Sequence, residues 1–144
     1  MDTDETARAL LHGLLRLGAR LRHERPAEAL TANKVIVLAN LRRNGPSTPS
    51  AVAAAEHEQL QALTKTFGEL EADGLIARER SQADRRASVL SITDAGLTAL
   101  SADLGQRAQW LGSALGQLSE TEQQLLALTV QLLNRLADVP GAAS

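Results

Sequence analysis

The sequence predicts a mainly α fold carrying one small two-stranded β-hairpin, and three observations carry that prediction. Apolar residues recur at helical spacing over most of the 144 positions, and of the six segments so marked four are opened by Ser or Thr caps and four are closed by Gly or Pro. With one Phe, one Trp and no Tyr, the core must be built from Leu, Ala, Val and Ile, as interlocked helices are. Only one pair of short runs, LIARER (75–80) and SVLSI (88–92), shows the alternation of half-buried strands, and the polar SQADRRA lies between them.

The elements follow in order. Thr3 to about Glu24 is an amphipathic helix with Ala7, Leu10, Leu11, Leu14, Leu17 and Leu21 in one stripe and Arg8, Arg16, Arg20 and Arg22 largely outside it; Pro26 stops it. Thr31 caps a second helix through Val35, Ile36, Leu38 and Leu41, which ends at Asn44-Gly45-Pro46. Thr48 caps a short third helix with Pro49 at its first position. A fourth, about Gln59 to Asp73, aligns Leu60, Leu63, Phe67 and Leu70 on one buried face. On its opposite face stand Glu58, Gln61, Ala62, Lys65 and Glu69, and Gly74 closes it. After the hairpin, Thr93 caps a long helix, approximately Asp94 to Leu115, holding Leu97, Leu100, Leu104, Trp110 and Leu111. Ser119-x-x-Glu122 is a capping box that opens the last helix, and Pro140 with the GAAS terminus leaves a frayed end.

Length allows one compact domain, or a small domain with helical extensions used for association. The absence of Cys excludes disulfides, thiolate metal sites and a cysteine redox sensor. The start of the chain lacks the features of a secretory leader and no apolar run approaches a membrane span, so a soluble cytoplasmic protein with no membrane partner is expected. His12, His23 and His57 lack metal-ligand spacing, and no nucleophile and base arrangement is present, so neither an enzyme nor a metal or cofactor is expected. The net charge of −2 argues against indiscriminate nucleic-acid binding, but residues 31–90 carry eight basic side chains against seven acidic ones, whereas residues 91–144 carry two against five. Any anion-binding surface therefore lies in the middle.

Three helices, a hairpin and a charged loop at its tip are the order of a winged helix-turn-helix. The third and fourth helices form the helix-turn-helix pair, and the fourth presents Gln59, Gln61, Ala62 and Lys65 to the major groove, where amides and ammonium groups bond base edges. The loop, with Asp84, Arg85 and Arg86, reaches a phosphate ridge or the minor groove, whose negative potential attracts guanidinium groups. Out of this setting, the same three residues would read as a solvated turn.

The runs LTANKVIVLANLRRNGPSTPSAVAAA and LTKTFGELEADGLIARERSQADRRASVLSITDAG resemble the MarR family of bacterial transcription regulators, with Asp84-x-Arg86 followed by Ile92-Thr93 as the wing signature. The likeness extends from about Leu10 to Leu136, and its most specific part is the succession LEADGLI, DRR and SITDAG. The resemblance implies a homodimer. Residues 1–30 and 94–144 would form the helical dimerisation region, and 31–93 the winged module that binds double-stranded DNA at a pseudo-palindromic site. It also implies Arg86 as the principal wing contact, Arg85 assisting, and Asp84 orienting an Arg through a charge-assisted hydrogen bond. By family habit the regulator is a repressor, released by a small aromatic or phenolic effector.

At the start of the recognition helix the chain departs from the family, which often carries Ser or Arg there. Glu56, His57, Glu58, Gln59 and Leu60 leave Lys65 as the helix's only basic residue. Carboxylates at Glu56 and Glu58 suit a helix N-terminus but repel phosphates. That acidic entry favours a rival reading, an effector- or protein-binding helical dimer of the same fold with little or no DNA binding; the basic wing favours DNA.

Overall fold

The computed structural model describes residues 1–141, so most of the expected frayed terminus, 142–144, lies outside the described residues. The order is α1 (Thr3–His23), α2 (Ala32–Asn44), α3 (Pro49–Ala55), α4 (Leu60–Ala72), β1 (Ile76–Arg80), β2 (Ser88–Ile92), α5 (Asp94–Leu115) and α6 (Glu120–Ala137). The chain divides into two compact units, Met1–Arg107 and Ala108–Ser144.

In the first unit the helix starts are locally determined. Thr31 accepts from the Lys34 amide, Thr48 from the Ala51 amide with Pro49 following, and Asp2 with Glu5 forms a capping box on α1. The core gathers Val37, Leu38 and Leu41 of α2, Val52 and Ala53 of α3, Leu63, Phe67 and Leu70 of α4, Ile76, Leu90 and Leu100. Leu38, Leu41, Leu63, Phe67, Leu70 and Leu100 lie where their periodicity marked them, Val37 joins them although the pattern singled out its neighbours Val35 and Ile36, and Leu97 of α5 is 38% exposed. Leu60 is 42% exposed instead of buried. It occupies the first helical position of α4, at the margin of the apolar sector and ahead of the turn where the core begins.

β1 and β2 pair antiparallel from Ile76↔Ile92 to Arg80↔Ser88. Leu75, read as the first strand residue, instead closes α4: its amide donates to the Leu70 carbonyl at 2.9 Å. A third segment joins the hairpin. Ser47, just before α3, exchanges both backbone bonds with Leu90, at 3.0 and 2.8 Å, so Leu90 is paired on both sides.

The hairpin is locked where it meets the helices. The Thr93 hydroxyl donates to the Gly74 carbonyl at 2.7 Å and accepts from the Gly96 amide at 3.0 Å, so one side chain ends the hairpin and starts α5. Gly74 has φ +75°, the left-handed conformation that closes a helix. Further along α5, Asp103 is 3% exposed and accepts from the Leu30 amide at 2.7 Å and from the Arg107 guanidinium, while Arg25 donates to the Leu30 carbonyl. The linker before α2 is thereby tied to α5. α1 buries none of its residues, and Leu10, Leu11, Leu14, Leu15 and Leu17 are exposed.

In the second unit, Ser119 and Glu122 exchange the two bonds of a capping box. The bond from the Ser119 amide, with that from its side chain, holds the Glu122 carboxyl below the usual carboxylate range. The Gln123 side-chain amide folds the connection by donating through Nε2 to the Leu115 and Leu118 carbonyls at 2.9 and 3.2 Å. α6 also buries none of its residues and exposes Leu125, Leu126, Leu128, Val130, Leu132 and Leu136. No helix among the described residues is long and apolar enough to cross a membrane.

Candidate nucleic-acid interface

The turn between α3 and α4 is tight because its backbone is. His57 sits at φ +55°, in the left-handed region, and the His57 and Glu58 amides donate back to the Ala54 and Ala53 carbonyls at 3.2 and 2.9 Å. The turn is reversed within three residues, and α4 leaves it with Gln59 as N-cap.

Gln59, Gln61, Ala62 and Lys65 are all exposed. Gln59 caps the helix through its backbone only, with no side-chain bond. The Lys65 side chain is 89% exposed and lies 3.7 Å from Glu69, one turn away. Glu69, read as a free member of this face, is instead shared: Lys34 of α2 reaches it at 3.5 Å and Asp73 at 3.9 Å. Two ammonium groups draw it in, which leaves the outer face of α4 to amides, a methyl group and the exposed Lys65 ammonium.

The acidic entry is half neutralised. Glu56 lies 3.5 Å from the Arg43 guanidinium, and its side chain is largely covered, at 19% exposure. Glu58 is exposed and forms no ion pair among the described residues. Sequence reading missed this pairing because Arg43 belongs to α2, thirteen positions away.

In the wing, the Ser81 amide donates to the Ala87 carbonyl at 2.9 Å and the Ala87 amide to the Asp84 carbonyl at 3.0 Å. The Asp84 carboxylate accepts from the Arg86 backbone amide at 3.0 Å, not from a guanidinium as the resemblance implied. The reason is local: an amide two residues on is already in reach, and bonding it immobilises no long side chain. Asp84 therefore shapes the loop. Arg85 and Arg86 are exposed, and among the described residues neither they nor Arg80 form an ion pair. Arg80, Ser81, Gln82 and Arg85 line an open recess of about 410 Å³.

A second recess, about 450 Å³, brings Thr31, Ala32 and Asn33 beside Lys65, Thr66 and Glu69. It sets the start of α2, with the partial positive charge of its first amides, next to the cation of α4. The capped start of α2 was readable; its position beside Lys65 follows from packing alone. No three His, Asp or Glu side chains among the described residues gather where they could hold a metal ion.

Comparison with known proteins agrees with this geometry. Residues 30–87 match the model of the MarR family. An HTH-type transcriptional regulator of Mycobacterium tuberculosis is 26% identical over 139 residues, spanning 96% of this chain and 97% of the relative. A Pseudomonas aeruginosa protein of known crystal structure, classed as a transcriptional regulator, is 32% identical, with a TM-score of 0.74 over 95% of this chain and 96% of that one. BpsR of Bordetella bronchiseptica, whose DNA binding is regulated by 6-hydroxynicotinic acid, is 25% identical, with a TM-score of 0.68 over 93% of this chain and 94% of its own.

Proposed function

The chain belongs to the MarR family and is a DNA-binding transcription regulator, and from that premise we propose that it acts in the cytoplasm as a homodimeric repressor. Residues 1–30 and 94–144 form the dimerisation region, and residues 31–93 form the winged module. The exposed leucine rows of α1 and α6 support this, because apolar surface of that extent on a small chain favours association. Each copy places one α4 in the major groove, so that two, about 34 to 36 Å apart, read a pseudo-palindromic site.

In each half-site Gln59, Gln61, Ala62 and Lys65 meet base edges, and Arg86 with Arg85 meets phosphate or the minor groove. The observation that carries the reading is the wing: its acid is spent on the backbone, and among the described residues both exposed guanidinium groups form no ion pair. The pairing of Glu56 with Arg43 weakens the case for a regulator that has lost DNA.

Release follows by the population logic of a two-state dimer. A small aromatic or phenolic effector frees the DNA when it prefers a spacing of the two modules that DNA does not. BpsR, a relative regulated by 6-hydroxynicotinic acid, supports an effector of this class.

The test is fluorescence anisotropy with DNA from upstream of the protein's own reading frame, across about 50 to 200 mM salt. The expected result is saturable binding by a dimer that weakens steeply with salt. Absence of any salt-sensitive binding would favour the rival effector- or partner-binding role.

A further inference from the structure

α4 starts unlike the other helices. α1, α2, α3, α5 and α6 are each opened by a side chain that accepts from the first turn, namely Asp2, Thr31, Thr48, Thr93 and Ser119. α4 has no side-chain cap and no acid in its first turn. A start that forgoes both common stabilisers leaves its side chains uncommitted, as expected where a chain serves recognition before stability.

Leu60 stands at that start. It is 42% exposed, while Leu63, Phe67 and Leu70 of the same row are at 0, 2 and 0%. It is flanked by Gln59 and Gln61, and the only cation of the helix, Lys65, lies more than a turn further on. The first residues of a recognition helix are those that meet base edges. Among the four bases only thymine offers a methyl group in the major groove, and amides suit the adenine edge. A leucine between two glutamines, with no arginine to take guanine, is chemically matched to A·T pairs.

We propose that Leu60 is a specificity-determining residue that packs on the C5 methyl of a thymine in each half-site. The proposal rests on the placing of α4 in the major groove. A C5 methyl removed from water contributes about a fourfold preference over the same base without it.

The experiment uses the full-length dimer and its footprinted operator. Thymines are replaced singly by deoxyuridine, which deletes the methyl and keeps base pairing, and binding is measured for the wild type and for Leu60→Ala. Because Leu60 is exposed, the Ala variant should keep the wild-type helix content and unfolding midpoint, which are checked alongside. The expected result is one position per half-site where deoxyuridine weakens wild-type binding about fourfold, with that penalty absent in Leu60→Ala. A uniform deoxyuridine series in the wild type, or an undiminished penalty in Leu60→Ala, overturns the proposal while salt-sensitive binding leaves the DNA reading intact. Loss of all salt-sensitive binding by the wild type overturns both.

Discussion

Gly96 and Leu75 approach so closely that a Cβ on residue 96 would stand 2.1 Å from the Leu75 carbonyl oxygen and 2.8 Å from the Ile92 side chain. The obstacle at the shorter distance is backbone, which cannot swing aside. Gly96→Ala should therefore destabilise the protein by about 2 to 3 kcal/mol, although Ala is the better helix former. Gly68→Ala, on the exposed side of α4 with nothing within 4 Å of the added methyl, should be neutral or stabilising by up to about 1 kcal/mol. Thermal unfolding of the pair decides it; equal midpoints would show that the joint between hairpin and α5 yields.

Arg86→Ala should weaken binding to all DNA sequences and flatten the salt dependence by about one phosphate contact per wing. Gln61→Ala and Lys65→Ala should instead change which operator variants are preferred. Titrations of a shared operator set against salt separate the two behaviours, and an unchanged slope for Arg86→Ala would remove the wing from the interface.

Arg43→Ala, which touches no groove-facing residue of α4, should lower DNA affinity about two- to fivefold by releasing the Glu56 carboxylate toward phosphate. Adding Glu56→Gln should restore most of the loss. If the double variant binds no better than Arg43→Ala, then Arg43 acts in another way, and the coupling read from the cycle measures how much.

Asp103→Ala leaves the Leu30 amide and the Arg107 guanidinium without their shared acceptor in a covered place. The expected cost is about 3 kcal/mol, with Asp103→Asn costing less because one acceptor oxygen remains. Urea unfolding midpoints of the two variants give the order.

What could be read from residues alone was whatever is decided within a turn of chain. Thr31, Thr48, Thr93 and Ser119 cap because their acceptors lie beside the amides they serve, and each helix begins where they stand. Periodicity placed Leu63, Phe67 and Leu70 correctly but also Leu60, since a row of leucines does not say where the core it faces comes to an end. The charged residues were found but not their partners. Glu56 with Arg43, Glu69 with Lys34 and the Leu30 amide with Asp103 join segments that only packing brings together. Asp84 shows the opposite error: a local bond won where a longer-range one was expected.

The double pairing of Leu90 bears on how the molecule measures DNA. Because Ser47 holds one flank of that strand through both Leu90 backbone groups and β1 pairs along the other, the hairpin is tied directly to the segment that opens α3. On the function proposed above, the angular phase between major-groove reading and wing contact is then a constant of each subunit. Evolution can retune letters at α4 or charge at the wing, but the interval between them is a ruler that operators must match.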